Sequence, residues 1–142
     1  MKPCLVDVNV WVALLVPRHV HHERANRWFA SLAPAESGIC RVVQLALIRL
    51  LGNLSVMGGD ALSAFDAWRI VGQLMEDERV DFIQESPGIE AILPDFFRYQ
   101  VPTGKLVGDA YLAALAMAAG RRMVTTDRGF RQFRGLEVDI LE

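Results

Sequence analysis

Asp7, Asp109 and Asp127 are the residues of this chain whose type and placement could do chemistry together, although they lie far apart in sequence. Asp7 closes the apolar run Cys4-Leu5-Val6, Asp127 follows Met123-Val124-Thr125-Thr126, and Asp109 opens the alanine-rich segment that runs to Ala119. Short apolar runs of this kind predict buried strands. In an open parallel sheet the strand carboxyl ends and the starts of the helices that follow share one edge, where ligands bind. Gln44, at the start of the apolar segment Val43 to Leu51, belongs to that edge as well. Asp109 reaches it if its helix runs antiparallel to the sheet, as crossover helices do. Three neighbouring carboxylates repel one another, and a divalent cation is the ordinary remedy. Hard oxygen ligands suit Mg²⁺ or Mn²⁺, and such an ion activates a water and neutralises charge on a phosphoryl group during in-line attack. Each acid alone has a plainer explanation, Asp7 as a helix cap and Asp109 as a first-turn acid favoured by the helix dipole. Their convergence is what points to metal chemistry.

The elements that must position these acids alternate along the chain. After the first strand, Val10 to Val16 predicts a buried helix closed by Pro17, and a second helix ends near Leu32 ahead of Pro34. Gly38 to Val42 predicts a strand, and Val43 to Leu51 a helix stopped by Gly52-Asn53. The two glycines between Asn53 and Asp60 predict a loop, with Asp60 capping a helix from Ala61 to about Met75. Val80 to Gln84 predicts a third strand. Ile89 to Tyr99 has helical apolar content that Pro94 is expected to break. The helix opened by Asp109 ends at Gly120, a fourth strand leads to Asp127, Gly129 to Phe133 makes a helical turn, and Leu136 to Leu141 alternates as a last strand. The fold class that follows is α/β, a central parallel sheet of about five strands with helices on both faces.

The totals are consistent with one such domain, residues 1–142, because 142 residues at 52% hydrophobic content suffice for one full core and not two. No apolar run reaches the roughly 18 residues of a membrane span and no signal-peptide layout opens the chain, so a soluble, cytoplasmic protein without membrane contact is expected. Cys4 and Cys40 sit in strand-like apolar runs without metal-ligand spacing. His19, His21 and His22 lack further ligands for zinc and read as polar residues of a first helical turn. The net charge of −2 gives no sign of nucleic-acid binding, but its distribution does. Between Arg121 and Arg134 five arginines face one acid, Asp127. A phosphate backbone beside the acidic pocket is therefore plausible, with Lys105 as an addition and a solvated face as the plain alternative for any single arginine.

Leu5-Val6-Asp7-Val8-Asn9-Val10, Gly108-Asp109-Ala110-Tyr111-Leu112-Ala113-Ala114-Leu115-Ala116 and Val124-Thr125-Thr126-Asp127-Arg128-Gly129-Phe130, in that order, resemble PIN-domain ribonucleases, and among them the VapC toxins of bacterial toxin–antitoxin pairs. The resemblance implies a PIN-like three-layer sandwich and a Mg²⁺- or Mn²⁺-dependent endoribonuclease acting on a structured RNA such as tRNA or rRNA. It further implies a homodimer silenced by a VapB-type antitoxin. Carried over by position, Asp7, Asp109 and Asp127 would hold the metal and its water, with Asn9 and Thr125 supporting them by hydrogen bonds. Arg128, Arg131 and Lys105 are the candidate RNA contacts. Gln44 stands where the family usually has a Glu, and an amide cannot act as a base. A weakened, PIN-like module that binds RNA or protein without cleaving is therefore the rival. A receiver domain would need paired acids after the first strand and an Asp ending the third, which here ends Ile83-Gln84-Glu85. A haloacid-dehalogenase phosphatase would need Asp where Asn9 stands.

Overall fold

The computed structural model describes residues 2–142, with Lys105 described in its main chain alone. Strand β1, Cys4–Val6, is wholly buried and ends at Asp7, whose backbone is extended (φ −70°, ψ 154°). The Asp7 side chain accepts the Val8 N–H, so the chain turns at once into α1, Val8–Leu15. Helix α2, His22–Ala30, leads to β2, Ser37–Cys40, and α3, Arg41–Leu51, starts directly from extended Cys40. The second strand is thus shorter, and its helix longer, than the apolar pattern predicts.

Three expected features differ. Asn53 to Asp60 is not a loop: Asn53 Oδ1 accepts from the Ser55 and Val56 N–H groups at 2.8 and 3.2 Å. That cap starts the short helix α4, Leu54–Met57, which passes into a 3-10 turn at Gly58–Asp60. The next helix, α5, Ala64–Met75, is capped by Ser63, whose Oγ accepts from the Asp66 N–H at 3.1 Å, and not by Asp60. After β3, Val80–Ile83, helix α6, Ile89–Tyr99, runs unbroken through Pro94. The missing N–H there would have served the Glu90 carbonyl. Glu90 and Pro94 are both exposed, so water can serve it instead. A 3-10 turn, Gly104–Leu106, enters α7, Val107–Ala118; β4, Arg122–Thr125, the 3-10 turn Arg128–Gln132 and β5, Val138–Ile140, complete the chain.

All strand pairs are parallel, but the expected sheet of about five strands is divided into two ladders. One is β1-β4-β5, with Leu5 opposite Met123 and Val124 opposite Asp139; the other is β2-β3, with Ile39 opposite Phe82. A main-chain bond joins β1 to the β2 side, from the Cys4 N–H to the Glu36 carbonyl at 2.8 Å. The next rung would use the Cys4 carbonyl, which instead accepts from Arg121 Nη1 at 3.0 Å. Gly38 keeps the seam close, since a Cβ there would stand 2.9 Å from the Cys4 carbonyl oxygen and 2.7 Å from Ile83 Cγ1.

Trp11, Leu5, Ile39, Leu47, Leu115 and Met123 are fully buried at the centre. Helix α7 lies on β4 through small residues, with Ala110, Ala113, Ala114 and Ala116 all without solvent exposure. Phe130 and Phe133 are buried too, Phe133 against Phe96 at 5.1 Å between ring centroids, which anchors the turn that follows Asp127. Among the described residues no single helix is long and apolar enough to cross a membrane.

Candidate metal centre at the carboxyl edge

The ends of β1 and β4 are neighbours because the two strands pair in register, and the Asp7 N–H donates to the Val124 carbonyl at 2.9 Å. This delivers Asp7 to Thr125. Thr125 Oγ1, completely buried, donates to Asp7 Oδ2 at 2.7 Å and accepts from the Asp127 N–H at 3.0 Å. One hydroxyl therefore ties two of the three acids together. Asp7 Oδ1 takes the Val8 N–H at 2.8 Å, while Asp127 Oδ1 takes the Gly129 N–H at 2.8 Å and so caps the turn that carries Arg128 and Arg131. Asn9 Oδ1 reaches the Thr126 N–H at 3.4 Å and ties α1 to the same loop.

Asp109 arrives from the first turn of α7, partly buried. Burial pushes its carboxyl above the usual range, and the Asp7 and Asp127 charges push it further. Burial likewise raises the Asp7 carboxyl, which is only 7% exposed; the bonds from Thr125 and Val8 pull it back and the Asp127 charge raises it. The three aspartates thus share one electrostatic neighbourhood. Among the described residues no cation pairs with any of them.

This donor set fits a hard divalent ion. An ionised carboxylate has about four acceptor positions, and those of Asp7 and Asp127 are only partly used by the bonds above. The described side chains do not form a closed cage, since no three His, Cys, Asp or Glu converge as a ready ligand set. Such openness suits Mg²⁺, which keeps several of its own waters. The histidines lie elsewhere: His22 bonds the Ala13 carbonyl at 2.8 Å and Asn26, and the His21 N–H donates to His19 Nδ1.

Gln44 is buried, and its described bonds go to Arg41 and Met75 and to none of the aspartates. Its Oε1 accepts from Arg41 Nη1, and its Nε2 donates to Met75 Sδ at 3.4 Å. The five-arginine segment is divided by β4. Arg121 and Arg122 lie at the amino end of the strand, Arg121 on Asp81 at 2.8 Å and buried Arg122 on Asp139 at 2.7 Å and Glu36 at 3.3 Å. They brace the fold at the edge opposite Asp127. Arg128 and Arg131 remain beside the acids, both exposed, Arg128 in an ion pair with Glu142. The Lys105 side chain lies outside the described residues.

Two further groups stand at this edge. Tyr111, two residues beyond Asp109, donates to Glu85 Oε1 at 2.9 Å, and burial with that carboxylate pushes the phenol up to about 12. Cys40 ends β2 close enough for the Asp7 charge to act on its buried thiol. Sequence offered a signal for each, because Cys40 and Glu85 follow strand ends by the rule that selected Asp7.

Comparison with known proteins gives this geometry a lineage. The PIN domain family matches residues 4–136, almost the whole chain. The chain is a PIN domain. It is 37% identical over 142 residues to Ribonuclease VapC41 of Mycobacterium tuberculosis, covering 96% of this chain and 97% of that protein. It is 31% identical to Ribonuclease VapC39 of the same organism, covering 87% of each. This PIN domain therefore belongs with the VapC ribonucleases. Among solved structures it superposes on VapBC-1 from nontypeable Haemophilus influenzae with a TM-score of 0.69 at 15% identity, covering 96% of each chain. Mycobacterium tuberculosis VapC20, described as a sarcin-ricin loop cleaving toxin, gives 0.63 at 22% identity, covering 90% and 92%. At those identities the structures share the fold.

Proposed function

We propose that this PIN domain, a single domain over residues 1–142, is the toxin ribonuclease of a VapBC-type pair, hydrolysing phosphodiester bonds of a structured RNA such as tRNA or rRNA with Mg²⁺ or Mn²⁺. The observation that carries the proposal is the meeting of Asp7 and Asp127 on the Thr125 hydroxyl, with Asp109 brought within reach of both charges and, among the described residues, no cation paired with any of the three. Those three residues would hold the ion. When bound, it supplies neutralising charge at the phosphate and a more acidic water. The chain itself does the positioning. Thr125 and the Val8 N–H keep the Asp7 carboxylate aimed and oppose the upward pull of burial on it, Asn9 fixes the loop before Asp127, and Arg128 and Arg131 stand where a phosphate backbone would run.

The rival reading of a non-cleaving module draws on Gln44. Its amide is committed to Arg41 and Met75, and the Asp7–Thr125–Asp127 bonds form without it, which supports the nuclease. A VapB-type antitoxin and a second copy of the chain are the proposed protein partners. The exposed apolar side chains of Leu45 on α3, Leu54 on α4 and Phe65 and Trp68 on α5 support protein contact on that side.

The test is incubation of total bacterial RNA with the purified, antitoxin-free chain in Mg²⁺ or Mn²⁺, beside EDTA and Asp7→Asn controls. Asn keeps the shape and the acceptor of the cap, so the variant should fold with the native circular dichroism and lose cleavage. Fragments that persist in EDTA or in Asp7→Asn would remove the assignment.

A further inference from the structure

Most arginines near the carboxylates or at the strand ends are neutralised: Arg121, Arg122 and Arg128 each pair with an acid. Arg41 is different. It is the first residue of α3, directly after Cys40, and so stands at the same carboxyl edge as Asp7. Among the described residues it has no carboxylate partner. Its guanidinium donates to Gln44 Oε1 and lies over the Phe82 ring, 5.0 Å from the centroid.

Both of those partners are neutral and fixed. Gln44 is 3% exposed and is held at its other end by Met75, and Phe82 sits in β3 opposite Ile39. They orient an exposed cation without cancelling its charge. A Glu at position 44 would hold Arg41 equally well but would turn it into an ion pair. A guanidinium has five N–H donors in a planar fork, so one bond to Gln44 leaves the rest for a phosphate. We propose that Arg41 grips a phosphate of the bound RNA on the β2 side of the aspartates, with Gln44 as the positioning residue that keeps it charged and aimed. Arg131, exposed on the turn capped by Asp127, flanks the acids from the β4 side, so the backbone would cross the edge between two cations. The proposal rests on the RNA-binding part of the reading above and is separable from cleavage.

The experiment is fluorescence anisotropy of a labelled 12-nucleotide single-stranded RNA of mixed sequence, titrated with the full chain in EDTA at rising KCl. Arg41→Ala should weaken binding about five- to tenfold at low salt, and the slope of log K against log[KCl] should fall by about 0.7, the value for one phosphate contact to a single strand. Arg41→Lys should restore the slope but only part of the affinity, because a point charge cannot reproduce the fork. Gln44→Glu should weaken binding in the native background and add nothing to Arg41→Ala. An unchanged slope in Arg41→Ala, or no RNA binding by the native chain, would overturn the assignment. Equal effects of Gln44→Glu with and without Arg41 would overturn the part given to Gln44. Binding with these responses but no cleavage in Mg²⁺ or Mn²⁺ would leave Arg41 in place and refute the nuclease.

Discussion

Thr125→Val is the sharpest probe of the acidic edge, since it removes one hydroxyl and keeps the shape of a completely buried side chain. That hydroxyl serves two partners. Its loss leaves Asp7 Oδ2 without its 2.7 Å donor in a site where the carboxylate is almost cut off from water. A hydrogen bond to a charged group is worth about 1.5–3 kcal/mol, and the figure belongs at the upper end where water cannot substitute. The Asp127 N–H loses its 3.0 Å acceptor as well, but Asp127 is exposed and water can reach it, so about 1 kcal/mol more is a ceiling. The sum is about 2–4 kcal/mol at neutral pH, roughly 6–12 °C in Tm for a chain of this length. Urea unfolding in EDTA measures it directly. The midpoint should fall at unchanged m, and Thr125→Ser, which keeps the oxygen, should lose less than about 1.5 kcal/mol. A Thr125→Val chain within about 0.5 kcal/mol of native would show that Thr125 does not hold Asp7, and the account of the metal centre would fall with it.

Other perturbations follow from features away from the acids. Gly38→Ala places a methyl 2.9 Å from the Cys4 carbonyl and 2.7 Å from Ile83, and should cost about 1–3 kcal/mol in a denaturant titration. Gly72→Ala, in α5 with nothing within 4 Å of the new methyl, should instead stabilise by about 1 kcal/mol; equal effects would refute the close approach at the seam. Asp77 receives Arg79 Nε and Nη2 at 2.9 and 2.7 Å, and those bonds, led by the side-chain pair, hold its carboxyl down from 3.8 to about 2. A depressed carboxyl means that the unfolded chain binds the proton more tightly, so stability from this group is present above about pH 4 and is lost as pH falls towards 2. The stability gap between native and Asp77→Asn should close across that window, and a gap constant with pH would contradict it.

Much of this site is legible in the chain itself. Asp7 and Asp127 lie where strands end, and alternation of strands and helices is enough to bring those ends to one edge. Gln44 is less legible. Its position in the first turn of α3 is readable, but which side of that turn its amide faces depends on Arg41 and on Met75, which follows 31 residues later. The arginine segment misleads for a related reason. Arg121 and Arg128 are close in sequence, yet a strand of four residues between them spans roughly 13 Å and carries them to opposite edges. Asn53 and Ser63 show the remaining limit: glycines at 58 and 59 suggest a loop, while the side chains that cap α4 and α5 decide otherwise.

The division of the sheet has a consequence for how this molecule can change. Asp7, Thr125 and Asp127 are linked through the Thr125 hydroxyl beside the β1-β4-β5 ladder, whereas Arg41, Phe82 and Cys40 ride on the β2-β3 ladder across the seam. The Asp7–Thr125–Asp127 group and the Arg41 grip therefore rest on different ladders, with Arg131 on the side of the acids. Under the proposed reading, substitutions along β2 and β3 would change the grip on a phosphate while the Asp7–Thr125–Asp127 frame keeps its register.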